Sequence, residues 1–244
     1  MVVVLVANSN WYKYLMIDVH ALIKTTKDLK KIYLLTETDN IDDVPYLRAV
    51  IENNPNIEIV LVDSRKYIDK NLSADSSNRD SFFTNFCMVK LMLSEIVSED
   101  KALYIDTDAI VRRDISNLWK YNMNDYYIAA VKDFGILKRG DAEVSSIVNT
   151  YVNSGFVLFN LKKMREDHVQ EKMFEVLNTT RLKYPDQDAM NIVCQGKIMY
   201  LPSMYNLCED VTLDVMNKDL VRVYHFGGYK DFWVANRYYA EEWY

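Results

Sequence analysis

Residues 2–6 read Val-Val-Val-Leu-Val, and the continuity of that run constrains the chain more than any other feature. A strand with one wet face alternates apolar and polar residues, so five consecutive apolar side chains call for cover on both faces. The segment after it supplies such cover. Beyond Ala7-Asn8-Ser9-Asn10, residues 11–26 place Tyr14, Leu15, Val19, Leu22 and Ile23 at helical spacing. Residues 31–36 are predicted as a second strand, 44–53 as a short helix and 57–62 as a third strand. This rhythm predicts an α/β fold: a parallel sheet with right-handed crossovers, flanked by helices, with ligand sites at the C-terminal ends of the strands.

The rest of the chain continues in kind. Residues 63–81 turn polar, with 73–78 the least structured portion, and read either as a surface loop that closes over a site or as a plain connection. Helices are predicted over 82–97, near 116–121, from 161 to about 180 with Asn160 as cap, and over 185–194. Strands are predicted over 102–105, 127–131, 156–159, 197–201 and 221–226, with Asn153-Ser154-Gly155 leading into the third of these. With only 6 Gly and 4 Pro, and no internal repeat or linker composition, one domain over residues 1–244 is expected.

A formal charge of −6 argues against a general nucleic-acid binder, whose surface is normally basic. Cys87, Cys194 and Cys208 are odd in number and set among apolar residues, as buried free thiols in a reducing compartment are. The N-terminus lacks the basic region and the length of a signal peptide. No stretch approaches the roughly 18 apolar residues of a membrane span. A cytoplasmic protein is expected. The aromatic tail over 233–244 reads as a core-covering segment, with peripheral membrane contact left open.

Two carboxylates spaced by one residue, Asp106 and Asp108, come directly after the apolar strand 102–105. If the strand continues through them, side-chain alternation points both to one side and Thr107 to the other. Like charges so placed repel, and a hard divalent cation with phosphate oxygens opposite the protein relieves them. The competing reading is a strand-end turn in which Asp caps the next segment of chain. Other strand ends carry Asn8, Ser9, Asn10, Asp133, Asn153 and His225, and Asp186-Gln187-Asp188 opens a helix, so the set converges on one edge of a parallel sheet. His225 precedes Gly227-Gly228, which leave a gap for a ligand. Its imidazole would complete a site whose nitrogen favours Mn²⁺ over Ca²⁺, with Mg²⁺ the alternative.

Four segments in order carry a resemblance to glycosyltransferase family 8, the retaining nucleotide-sugar enzymes of the glycogenin and lipopolysaccharide galactosyltransferase kind. They are Ala-Leu-Tyr-Ile-Asp106-Thr107-Asp108-Ala-Ile-Val, Asn153-Ser154-Gly155-Phe-Val-Leu-Phe-Asn-Leu-Lys-Lys, Asp186-Gln187-Asp188-Ala-Met-Asn, and His225-Phe-Gly-Gly228 with Trp233. The resemblance implies a GT-A fold, Rossmann-like with a mostly parallel mixed sheet. It also implies transfer of a hexose, glucose or galactose, from a UDP-sugar to a carbohydrate or glycoconjugate acceptor. Asp106, Asp108 and His225 would hold Mn²⁺ against the two phosphates. Ala7, Asn8, Asn10 and Trp11 would form the uridine turn, with Trp11 stacked on the base where the family usually has Tyr. Lys90, sixteen residues before Asp106, and Thr107 would contact the donor. Asp133, Asn153 and Ser154 would bind sugar hydroxyls, with Gly155 allowing close approach. Asp186 and Gln187 would act near the anomeric carbon, and Gly228 and Lys230 would touch the diphosphate.

The chain departs from that pattern in two places. Asn8 stands where the family commonly has Asp, and Lys230 lies one residue closer to His225 than the family's lysine, with Phe232 rather than Pro before Trp233. Two other functions compete: a phosphatase of the haloacid dehalogenase type, with the first Asp as nucleophile, and an inactive UDP-sugar-binding module. Donor sugar, acceptor, self-glycosylation and oligomeric state have no signature in the sequence.

Overall fold

A computed structural model describes residues 1–79, 85–139, 150–208 and 218–227. Ten strands are present among them: β1 (Val2–Val6), β2 (Lys31–Thr36), β3 (Glu58–Asp63), β4 (Lys101–Ile105), β5 (Ala109–Val111), β6 (Ile128–Lys132), β7 (Val152–Asn160), β8 (Ile198–Tyr200), β9 (Leu207–Cys208) and β10 (Val223–His225). Seven form the central sheet in the order β3-β2-β1-β4-β7-β6-β8, and β5-β10-β9 form a second, smaller one. β1 to β4 are parallel where they pair, as are β6 and β8, whereas β7 runs antiparallel to both its neighbours. The α/β fold with a mostly parallel mixed sheet is therefore present.

Side-chain alternation divides the core between the two faces of this sheet. Val2, Val4, Val6, Tyr33, Leu35, Ala102, Tyr104, Val157 and Phe159 pack on one side. Val3, Leu5, Ile32, Leu34, Leu103, Ile105, Phe156 and Leu158 pack on the other. The second face is covered by α1 (Tyr12–Thr25) and α2 (Leu47–Asn53), through Leu15, Val19, Leu22 and Leu47. The first is covered by α3 (Arg65–Asn71) and α4 (Leu93–Ile96) and, beyond the short α5 (Phe134–Arg139), by α6 (Leu161–Glu166), α7 (Val169–Thr179) and α8 (Pro185–Val193). Each fully buried Val or Leu contributes about 1.5–3 kcal/mol, so the continuous apolar runs are what hold the sheet between its layers. Among the described residues no helix is long and apolar enough to cross a membrane.

Several expectations need correction. The stretch 63–81, read as a loop, contains α3, and residues 73–78 are pinned rather than free-standing. Asn78 is fully buried, and its amide nitrogen donates to the carbonyls of Leu177 (2.6 Å) and Thr180 (2.7 Å) at the end of α7. The last carbonyls of a helix lack partners within it, and Asn78 supplies them. The helix predicted over 82–97 is a 3₁₀ segment, Asn85–Met92, followed by α4, with residues 80–84 outside the described set. The helix expected from 161 to 180 breaks at His168, whose φ of 53° is left-handed, and α7 turns onto α8. Asn153-Ser154-Gly155 lie inside β7 rather than ahead of it.

Candidate active site and metal centre

β4 ends at Ile105, and residues 106–109 form a tight turn closed by the Ala109 amide donating to the Asp106 carbonyl at 3.1 Å. Asp106 and Asp108 thus share a side through a turn and not through strand alternation. Two backbone pairings then deliver the rest. The β4–β7 register continues past Ile105↔Phe156, and the Asp106 amide donates to the Gly155 carbonyl at 2.8 Å. The β5–β10 register sets His225 opposite Ala109, and the Phe226 amide donates to the Asp108 carbonyl at 2.8 Å. The end of β4, the interior of β7 and the end of β10, from distant parts of the chain, meet at one point.

There, His225 Nε2 lies 3.2 Å from Asp108 Oδ1 and 3.8 Å from Asp106 Oδ2. The ligand atoms of the three residues lie within 4.8 Å of one another. Bonds of roughly 2.0–2.2 Å from each to a central cation fit such spacings. Gly155 makes room for the imidazole to reach the acids: a Cβ there would overlap His225 Cε1 and come within 2.8 Å of both Asp106 Oδ2 and His225 Nε2. Two carboxylate oxygens and one imidazole nitrogen form a donor set that could hold a divalent cation. Burial opposes charge on both partners. Even so, Cys208 and Asp108 beside the ring hold the His225 pKa above its ordinary value, and His225 in turn holds Asp108 below the usual carboxylate range.

Lys90 is 3% exposed, and its ammonium bridges Asp106 Oδ1 (3.0 Å) and Asp186 Oδ2 (2.9 Å), reaching Ser154 Oγ at 3.3 Å. Burial alone would lower its pKa, but the Asp106 and Asp186 carboxylates raise it well above the ordinary lysine value. The ammonium also sits 4.8 Å above the Tyr104 ring, whose hydroxyl donates to Asp106 Oδ1. One oxygen of Asp106 is thereby occupied by Lys90 and Tyr104, leaving Oδ2 toward His225.

α8 positions the neighbouring groups. Gln187 and Asn191 stand one helical turn apart, about 6 Å along the axis, which matches the roughly 6.6 Å between alternate residues of a strand. Gln187 Oε1 accepts from the Ser154 amide (2.8 Å), and Asn191 accepts from the Val152 amide and donates to its carbonyl (both 2.8 Å). Gln187 Nε2 donates to Asp133 Oδ2 at 3.1 Å, where Asn153 Nδ2 also donates at 3.1 Å. Ser154 Oγ donates to Asp186 Oδ2 at 2.9 Å. Asp133, Asn153, Ser154, Asp186 and Gln187 therefore form one network beside the acid–histidine cluster.

The turn after β1 places Ala7 in the core and Asn8 as the cap of a 3₁₀ turn, its Oδ1 accepting from the Asn10 amide at 3.1 Å. Trp11 is half-buried against Tyr14, with ring centroids 5.3 Å apart. Thr107 sits at the tip of the acid turn, half-buried. Gly228, Lys230 and Trp233 lie outside the described residues. Three residues of the site and its surroundings were missed from the sequence. Tyr104 could have been found, since it sits two residues before Asp106 in the same strand. Asn206, a partner of His225, and Asp18, a buried acid of α1 whose oxygens both lack a hydrogen-bond partner among the described residues, carry no local signal.

A sequence model of glycosyl transferase family 8 matches residues 2–236. A relative from Haemophilus influenzae is 27% identical over 228 residues, 78% of this chain and 69% of its own length. The lipopolysaccharide 1,2-glucosyltransferase of Escherichia coli K12 is 32% identical over 127 residues, 49% of this chain and only 37% of its own length. The galactosyltransferase LgtC, solved in complex with donor and acceptor sugar analogs, superposes with a TM-score of 0.74 at 21% identity, covering 99% of this chain and 93% of that one. That likeness shows a shared GT-A fold. The phosphatase alternative is set aside by the family match.

Proposed function

We propose, because this chain belongs to glycosyltransferase family 8, that it transfers a hexose from a UDP-sugar to a hydroxyl of a carbohydrate or glycoconjugate, with retention at the anomeric carbon. Glucose or galactose is the sugar we favour, Mn²⁺ the cation, with Mg²⁺ as substitute. The observation that carries this reading is the meeting of Asp106, Asp108 and His225, whose ligand atoms lie within 4.8 Å of one another, with the imidazole seated over Gly155 where no Cβ displaces it.

Breaking the bond between the anomeric carbon and UDP puts negative charge on the leaving phosphate and oxocarbenium character on the sugar. Bound at this cluster, a divalent cation supplies Lewis-acid stabilisation of that leaving phosphate. Asp106, Asp108 and His225 Nε2 would hold it. Asp133 and Asn153, already paired, would orient the sugar hydroxyls, and Ala7, Asn8, Asn10 and Trp11 would hold the uridine. Thr107, Ser154 and Gly155, with Gly228 and Lys230, complete the donor contacts we assign.

Asp186 and Gln187 would face the anomeric carbon, and the amide oxygen of Gln187 is a poor nucleophile. Asp186 Oδ2 is bonded to Lys90 and Ser154, and both ends of the Gln187 amide are engaged. This favours substitution on one face: the acceptor oxygen bonds to the anomeric carbon as the bond to UDP breaks, and its proton passes to the departing phosphate oxygen. The test is UDP release from UDP-glucose, UDP-galactose and their N-acetyl forms, with Mn²⁺ and with chelator. Asp106→Ala and Asp108→Ala are expected to abolish both transfer and metal-dependent hydrolysis. Full activity in either variant would overturn the assignment.

A further inference from the structure

The polarity of a chain of hydrogen bonds behind His225 is fixed by one backbone group. The Gly155 amide can only donate, and it points at an atom of the Asn153 side chain 2.9 Å away, which must be Oδ1. Asn153 Nδ2 then faces Asp133 Oδ2 at 3.1 Å, the acceptor it needs. Asn206 approaches the same Asn153 Oδ1 at 2.9 Å, so the approaching atom must be its Nδ2. Its remaining oxygen lies 2.9 Å from His225 Nδ1. Turning either amide over would set oxygen against oxygen or donor against donor.

We propose that Asn206 is a positioning residue for the cation site: it keeps the proton on His225 Nδ1, so that Nε2 is the nitrogen presented to a cation between Asp106 and Asp108. The inference rests on the metal reading proposed above. Asn206 and His225 are each 4% exposed, so water does not compete for the contact. The backbone fixes their approach, with the Asn206 amide donating to the Ser203 carbonyl at 3.1 Å and β9 pairing with β10 as Leu207↔Tyr224 and Cys208↔His225. Cys208 Sγ also lies 3.5 Å from Nδ1, but a thiol is a weak partner in either role. Groups that orient a metal-binding histidine typically change metal affinity 10- to 100-fold when removed.

Two measurements on the full chain test this. In the wild-type protein loaded with Mg²⁺ and labelled with ¹⁵N-histidine, long-range ¹H–¹⁵N spectra are expected to show the His225 proton on Nδ1 and none on Nε2. With only three histidines in the chain the assignment is direct. A proton on Nε2 with Nδ1 bare overturns the proposal. The second is titration with Mn²⁺ alone, following the free ion by electron paramagnetic resonance. Asn206→Leu is expected to weaken binding by about 10- to 100-fold, whereas Asn206→Asp, which keeps an acceptor for Nδ1 but sets an oxygen against Asn153 Oδ1, loses less than Asn206→Leu, and Cys208→Ala stays within about threefold. Wild-type affinity in Asn206→Leu, or an equal loss in all three, overturns it. If Asn206 variants and wild type alike take up no Mn²⁺, the metal reading itself fails, and this inference with it.

Discussion

Gly155 shows how much of the site depends on a side chain that is not there. Its hypothetical Cβ collides with the imidazole of His225 and crowds Asp106 Oδ2, so a single methyl group competes for the volume where the ligand atoms converge. Gly155→Ala is expected to displace His225 and weaken Mn²⁺ binding at least tenfold; equal binding in a calorimetric titration would show that the imidazole does not need that space. At this scale the sequence was informative where chemistry is local. The Asp-x-Asp pair, the glycine after Asn153-Ser154 and the histidine before two glycines all announce themselves. Lys90 did so only through spacing, and its burial between Asp106 and Asp186 could not be read from a helix-like segment. Asn206 was invisible because its partners are contributed by β7 and β10, far from it in sequence.

Among the elements, α1 carries the clearest departure from an amphipathic pattern. Asp18 is 2% exposed on its buried face, and neither carboxylate oxygen has a hydrogen-bond partner among the described residues. Burial first, then repulsion from Asp108 and Asp106, raise its pKa well above the ordinary value. An acid with a raised pKa binds its proton more tightly folded than unfolded, so its contribution to stability falls as pH rises from about 4 through the folded pKa. Asp18→Asn is therefore expected to unfold at a higher temperature than wild type at neutral pH in chelator, by about 1–3 kcal/mol of stability. That advantage should shrink toward zero at about pH 4, and thermal melts showing one difference at all pH values would contradict it. The elements themselves were legible where they bury one continuous face. β1 to β4, α1 and α8 stand close to where periodicity put them. The acid turn and the short strands β5 and β9 were not legible, because two or three residues carry no period and form only through their pairing with β10.

At the scale of the molecule, the central sheet was readable as α/β, while its antiparallel member β7 was not, since an apolar run has no direction. That reversal matters: it sets Gly155 beside Asp106 and lets α8 grip β7 through Gln187 and Asn191. The site is thus assembled by topology from strands β4, β7 and β10 and one helix. We treat residues 1–244 as one catalytic domain, a reading in keeping with sheet and site being built from the whole length of the described chain. The chain matches 69% of the length of the Haemophilus influenzae relative and 37% of that of the Escherichia coli K12 one, and its acceptor is a matter for direct screening. The most direct test of the central claim, that Asp106, Asp108 and His225 jointly grip a cation facing a diphosphate, is calorimetric titration of UDP into wild type and His225→Leu, each with Mn²⁺ and with chelator. The account predicts that Mn²⁺ tightens UDP binding at least tenfold in wild type and leaves it unchanged in His225→Leu. Equal UDP affinity with and without the ion in wild type, or an undiminished effect of the ion in the variant, would contradict it.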